Sequence, residues 1–252
     1  MLQQTQAERV VDPYRRFLTR FPTVAACAAA PASEVVRQWS GLGYNRRALN
    51  LHRAALAVTS DFGGTIPEDD RALRSLPGIG SYTARAVRSF AFGADVATVD
   101  TNAVRVLARC VRGGPLTLGQ AQELGDTLVP PGGSWAFNQA MFDLGATTCR
   151  PTPGCSHCPL RRMCSWRSEG QEGPDPWRAS PSVRSQSRFE GSDRQGRGRL
   201  LDVLRTGTVA RSDLAAACGW PDDGKRAERI ATALVGEGFA QWSGAPEALR
   251  LR

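Results

Sequence analysis

The stretch Leu76-Pro77-Gly78-Ile79-Gly80-Ser81-Tyr82-Thr83-Ala84 decides the fold. It reads as the end of one helix, a tight Pro-Gly-x-Gly turn and the start of another. Glycines permit the positive φ angles and close backbone approach that such a turn needs. The N–H groups of the turn, added to the dipole of the following helix, make a site for one phosphate. Taken alone, the same residues also serve as a plain helix–turn–helix connection. Twenty residues past Gly80 comes Val99-Asp100-Thr101-Asn102, followed by AVRVLAR at 103–109. Asp100 stands where a helix should begin, so its plain structural role is an N-cap.

The flanking sequence is helical in pattern as far as residue 148. Apolar residues at helical spacing predict helices over Ala7–Phe21, Ala32–Trp39 and Arg46–Val58. Pro22 stops the first, and Pro13 either kinks it or restarts it after Asp12. Pro67-Glu68-Asp69-Asp70 marks another helix start, and further helices are expected at 82–91, 102–111, 117–128 and 134–146. Val96–Val99 reads as a connecting loop. Residues 168–188 are polar and rich in Gly, Pro and Ser, as in a linker. Beyond them, three short helices and a hairpin (Phe239–Trp242 with Ala248–Leu251) follow the order of a winged helix.

Composition narrows the chemistry. The chain has 252 residues, a formal charge of +8, and a single lysine, Lys225, among its 32 Lys and Arg residues. His52 and His157 are the only histidines and lie far apart, which argues against a His-based triad or a multi-His metal site. Schiff-base catalysis needs an amine, and Lys225 is its one side-chain candidate. The positive charge favours a polyanionic partner, nucleic acid first. No apolar run approaches the roughly 20 residues of a membrane span. The opening MLQQTQAERV lacks the apolar core of a signal peptide, so a cytoplasmic, nucleoid-associated protein with no membrane partner is expected.

Of the seven cysteines, four fall at Cys149-x5-Cys155-x2-Cys158-x5-Cys164. An odd total without a secretion signal argues against a disulfide framework. A zinc ribbon would show two C-x-x-C pairs, and there is one here. Four thiolates in one compact loop suit a [4Fe–4S] cluster, with zinc the other reading. Cys27, Cys110 and Cys218 read as ordinary buried thiols.

The hairpin LPGIGSYTARAV (76–87) and the acid segment VDTNAVRVLAR (99–109) resemble the helix-hairpin-helix DNA glycosylases of base excision repair in order and separation. MLQQTQ (1–6), RFPTV (20–24), WSGLGYNRRALNLH (39–52) and FNQAMFDLGATTC (137–149) are similar to the adenine DNA glycosylase branch of that superfamily. The resemblance runs from Met1 to about Trp166. It implies a mainly α fold: a helical barrel domain with the helix-hairpin-helix over 1–148, an iron–sulfur cluster loop over 149–167, a linker over 168–188 and a small winged-helix-like domain over 189–252. Larger relatives carry a β-rich domain that reads 8-oxoguanine at that end; the short module instead resembles actinobacterial relatives. There Arg226 and Arg229 could add duplex contacts, and Arg161 and Arg162 could meet phosphates from the cluster loop.

The resemblance also implies roles. N-glycosidic cleavage passes through an oxocarbenium-like sugar, so it needs an acid for the leaving base and an anion beside the sugar. The base must first leave the stack. Asp100 matches the family's carboxylate beside the sugar, and Asn102 a residue that positions catalytic groups. Tyr82 occupies the position of the Schiff-base lysine of bifunctional relatives, which implies a monofunctional enzyme. Gln3, Gln4 and Thr5 match contacts to the opposite base, Tyr44 the ring that wedges beside it, and Gly78, Ile79 and Gly80 the phosphate turn. Cys149, Cys155, Cys158 and Cys164 match the [4Fe–4S] ligands, with a first spacing one residue shorter than usual. The expected substrate is double-stranded DNA with a mismatch or oxidised base, met by a monomer. The family's general-acid glutamate falls two residues before the position of Met1. Either the start lies further upstream, or the chain binds DNA without excising. A thymine or uracil mismatch glycosylase is the competing enzyme.

Overall fold

Thr23, Asp69, Asp100, Thr117, Ser192 and Asp223 each accept the backbone N–H of the third residue after them, and each opens a helix. The computed structural model describes residues 1–3, 5–168, 174–181, 188–244 and 247–252. In chain order the helices are α1 (Ala7–Arg20), α2 (Val24–Ala29), α3 (Ala32–Gln38), α4 (Arg46–Asp61), α5 (Asp70–Ser75), α6 (Ser81–Phe92), α7 (Thr101–Val106), α8 (Leu118–Leu128), α9 (Ser134–Asp143), α10 (Ser165–Ser168), α11 (Asp193–Thr206), α12 (Leu214–Cys218) and α13 (Gly224–Glu237). The strands are β1 (Val209–Ala210), β2 (Ala240–Ser243) and β3 (Ala248–Leu251). No helix among the described residues is long and apolar enough to cross a membrane.

The chain divides into two compact units, residues 1–67 with 76–78 and 187–252, and residues 68–75 with 79–186. In the first unit, Phe17 and Phe21 at the α1 end, Val35 and Val36 of α3, Trp39 just after it, and Leu49 of α4 share one apolar cluster with Leu200, Leu201 and Leu204 of α11. The last sixty residues therefore share a core with the first four helices. Polar ties reinforce it: Ser33 N donates to Arg252 O (2.9 Å), and Arg53 donates to the Glu237 carbonyl (2.8 Å). Glu237 accepts a bidentate pair from Arg197 (2.8 and 2.7 Å) and an ion pair from Arg46 at 2.8 Å. β3 lies between β1 and β2, antiparallel to both. The order of this segment is helix, strand, helix, helix, strand, strand.

In the second unit, α7 is the central element. Ala103, Val104, Leu107 and Ala108 form a core with Ala97, Val99, Leu116 and Ala121. Val106 and Cys110, on its other side, join Cys149 and Cys164 in a second cluster. The expected helices at 102–111 and 134–146 are present, but each changes character partway. α7 runs into a π-helical turn at Leu107–Arg112, and α9 into one at Leu144–Thr148. Such wide turns are rare and concentrate at functional sites.

Local pattern mispredicted a few places. Pro13 lies inside α1, so it does not restart the helix. The six-residue α2 went unanticipated because VAACAA has too few residues to show a period. The two-residue β1 is equally invisible locally. Part of the expected linker is a built turn: Asp175 is partly buried, and Pro176 and Ser180 are buried. The rest of it, at 169–173 and 182–187, lies outside the described residues.

Candidate active site and cysteine pocket

The extended segment 96–99 leads the chain into Asp100, and side chains hold it where a neighbouring strand would. Asp126 Oδ1 accepts Ala97 N (2.9 Å) and an Arg85 N–H (2.8 Å). Asn138 Oδ1 accepts Thr98 N (2.7 Å), while its Nδ2 donates to Val96 O and Ser89 Oγ, both at 2.9 Å. The segment is thus a loop, as its sequence reads, because its partners are side chains. Asn138 belongs to the FNQAMFDLGATTC stretch.

Asp100 is an N-cap and something more. Its Oδ1 accepts Ala103 N at 2.7 Å, which satisfies the cap. Its Oδ2 accepts Asn102 Nδ2 at 3.2 Å. Asn102 is oriented in turn, because its Oδ1 accepts from Arg105 at 2.8 Å. Arg105 is buried and also donates to Gly145 O (2.8 Å) and Cys149 O (2.6 Å). Gly145 allows this approach: a Cβ there would lie 2.8 Å from the Asn102 Cβ. One hydrogen-bonded chain therefore runs Asp100–Asn102–Arg105–Cys149 carbonyl.

Tyr82 sits in the first turn of α6, partly exposed. Burial, and then the Asp100 charge, push its phenol above the usual value, so it stays protonated at neutral pH. Ahead of it, Gly80 opens α6 and has no side chain to occupy the first-turn N–H groups. Ile79 precedes it, half-buried. In the other unit, Gly78 has φ +80°, and a Cβ there would lie 2.6 Å from Asn50 Cβ, so the turn tolerates only glycine at that place.

The amino-terminal residues are anchored by Arg47. Its guanidinium donates to Gln3 O (2.6 Å), Thr5 Oγ1 (3.1 Å) and Leu42 O (3.2 Å). Thr5 Oγ1 donates to Leu42 O at 3.1 Å. Gln4 lies outside the described residues. Tyr44 takes φ +46°, a left-handed conformation unusual for an aromatic residue, and projects an exposed ring beside Arg47. Tyr44 is therefore not a core aromatic.

Cys149, Cys155, Cys158 and Cys164 line one pocket. Cys110 lines it too. The Cys149 thiol and burial push its proton affinity up, while Cys110, Arg109 and Arg105 draw Cys149 toward the thiolate. Cys110 is thus a fifth thiol of the pocket rather than an unrelated buried one. Among the described residues no three His, Cys, Asp or Glu side chains converge on a single ion position. Four thiols around one pocket, with a buried guanidinium beside one of them, are the soft donor set that a metal or metal cluster takes.

That guanidinium is Arg109, which is 1% exposed. Its five N–H donors are all matched: Asp175 Oδ1 (2.9 Å) and Oδ2 (2.5 Å), Arg150 O (2.7 Å), Pro151 O (3.1 Å) and Cys149 Sγ (3.6 Å). Arg161 and Arg162 are exposed on the cysteine loop. Arg226 is committed within its own module, to Asp193 at 2.7 Å, to Gly191 O and over the Trp220 ring at 3.8 Å, which leaves Arg229 the more accessible of that pair.

Asp100, Asn102 and Tyr82 lie in one unit, with Asn102 bonded to Asp100 and the Asp100 charge acting on the Tyr82 phenol. The sequence reading missed Arg105, Arg109, Asn138, Gly145 and Asp175. Arg105 and Arg109 carried a weak signal, being charges on the apolar side of a helix that could not remain unpaired.

A helix–turn–helix with glycines at the turn and an oriented aspartate at a later helix start is the arrangement that the resemblance to DNA glycosylases implies. The family model for HhH-GPD superfamily base excision DNA repair proteins matches residues 1–130, and the chain belongs to that family. It is 40% identical over 247 residues to the adenine DNA glycosylase of Mycolicibacterium smegmatis, covering 96% of this chain and 81% of that one. Among solved structures it is similar to a thermostable thymine-DNA glycosylase (TM-score 0.62, 35% identity, 67% of this chain and 80% of that one). The fold also matches a trapped endonuclease III–DNA covalent intermediate (TM-score 0.59, 24% identity, 67% and 80%). The chain is a base excision repair glycosylase that acts on DNA.

Proposed function

We propose that the protein hydrolyses the N-glycosidic bond of adenine mispaired with 8-oxoguanine or guanine, as a monofunctional, monomeric glycosylase. The observation that carries this is the Asp100 carboxylate, oriented through both oxygens by Ala103 N and Asn102 Nδ2, with a tyrosine at position 82 and no lysine in that unit. A carboxylate held in place before the reaction stabilises the developing positive charge on the sugar without reorganising. Asn102 positions it, and Tyr82, protonated, can donate a hydrogen bond but cannot form a Schiff base. The name of the relative from M. smegmatis, similar over nearly the whole chain, supports adenine over thymine or uracil.

Gly78, Ile79 and Gly80 would seat a backbone phosphate on the start of α6, and Gln3, Gln4, Thr5 and Tyr44 would read and wedge the opposite base. Cys149, Cys155, Cys158 and Cys164 would hold a [4Fe–4S] cluster. Bound there, the cluster cross-links the loop and donates no electrons to a hydrolysis. The segment 189–252 reads as winged-helix-like, with Arg229 available for phosphate.

A duplex panel tests this. Release of adenine from A:8-oxoguanine and A:G pairs, with no borohydride-trapped adduct, is expected. Excision of thymine or uracil alone from T:G or U:G duplexes would sink the adenine assignment. Tight duplex binding with no abasic product, unchanged by Asp100→Asn, would make the chain a silent DNA-binding protein.

A further inference from the structure

We infer that residues 174–180 are a latch on the arginine that braces the cysteine pocket, with Asp175 locking Arg109 in place and Trp177 packed against Arg105 and Arg109. The inference rests on the cluster reading of the four cysteines. The latch belongs to a stretch whose composition is that of a linker, yet it is tied down at both ends. Asp175 Oδ1 accepts both Arg109 Nε (2.9 Å) and Trp177 N (3.1 Å), so one carboxylate fixes the arginine and shapes the turn. The Trp177 ring lies 4.9 Å from the Arg105 guanidinium and 5.7 Å from that of Arg109. At the far end the buried Ser180 Oγ accepts Leu116 N (3.2 Å) and donates to Pro176 O (2.9 Å).

The consequence for the pocket follows from Arg109. Asp175 takes two of its five donors and supplies its counter-charge. The other three hold Cys149 Sγ and the Arg150 and Pro151 carbonyls, within the short segment between the first two cysteines. A buried guanidinium deprived of its carboxylate swings toward water. It would then release the loop that sets the first ligand spacing. Outer contacts of this kind orient metal-binding groups and slow their dissociation.

The test uses the full chain, purified anaerobically, with iron per chain and the visible thiolate-to-iron absorbance followed after addition of a ferrous chelator. Asp175→Asn and Trp177→Ala are expected to lose iron about tenfold faster than the wild type or more. Asp175→Glu should recover part of the loss, and Asp193→Asn, which breaks the ion pairs to Arg226 and Arg229 in the other unit, should behave as wild type. Far-UV circular dichroism at the assay temperature confirms that each variant is folded. If Asp175→Asn does not fold, Trp177→Ala, which removes no charge, decides. Wild-type iron retention in the folded variants overturns the latch and leaves the cluster reading standing. A wild-type chain without iron or visible absorbance overturns the cluster reading and the latch with it.

Discussion

Asp100 carries two functions that a pair of substitutions separates. Oδ1 caps α7 through Ala103 N, and Oδ2 holds Asn102. Asparagine is as good an N-cap as aspartate, so Asp100→Asn keeps the first bond. It loses the second, because its new amide would face the Asn102 amide, whose oxygen Arg105 already holds. That costs about 1 kcal/mol. Asp100→Ala loses the cap as well, for about 2 kcal/mol in total. For a chain of this size the melting temperature should drop by about 3 °C and about 6 °C respectively. Excision should follow a different order. A unit charge about 4 Å from the developing sugar cation, at an effective dielectric of about 20, is worth about 4 kcal/mol. That is about a thousandfold in rate. Single-turnover release of adenine from an A:8-oxoguanine duplex should therefore fall about a thousandfold in both variants, although one is clearly the more stable. An Asp100→Asn protein that excises within tenfold of wild type would reduce Asp100 to a helix cap and refute the reasoning.

Other perturbations reach the supporting structure. Arg105→Ala strips the Asn102, Gly145 and Cys149 oxygens of a donor, and should destabilise by about 3 kcal/mol or more in denaturant melts. Gly145→Ala drives a methyl into Asn102 and should cost about 1–3 kcal/mol, with excision reduced beyond what the stability loss explains. Burial pushes the Glu237 carboxyl up, but hydrogen bonds from Arg197 and Arg46 outweigh it and hold Glu237 below its ordinary 4.5. Its contribution is then complete above pH 4.5 and is lost as pH falls through the lowered value. Glu237→Gln should therefore lower stability by about 1 kcal/mol at pH 7 and flatten the loss seen between pH 5 and pH 3 in urea titrations.

Much of the site is written locally. The Leu76–Ala84 turn, the cap at Asp100 and the spacing of Cys149, Cys155, Cys158 and Cys164 are short-range patterns whose physics needs only neighbours in the chain. Glycine at 78 tolerates φ +80°, an aspartate at 100 caps, and four thiols within sixteen residues share a cavity. These determined the helical class, and the resemblance that the same stretches carry supplied the expected reaction and the candidate cofactor.

What the residues do to one another was settled only by folding. Arg109 finds Asp175 across 66 positions and the Pro151 carbonyl across 42, and Arg105 reaches the Cys149 carbonyl across 44. Nothing local selects one carboxylate among 24. Cys110 reads as an ordinary buried thiol until the π-helical turns bring it to Cys149, and residues 174–180 read as linker until Ser180 is seen buried against Leu116. Backbone propensity is local, so turns and caps are legible in the chain. A buried charge or carbonyl takes whichever partner the packed core leaves within about 3 Å, and that choice belongs to the tertiary structure.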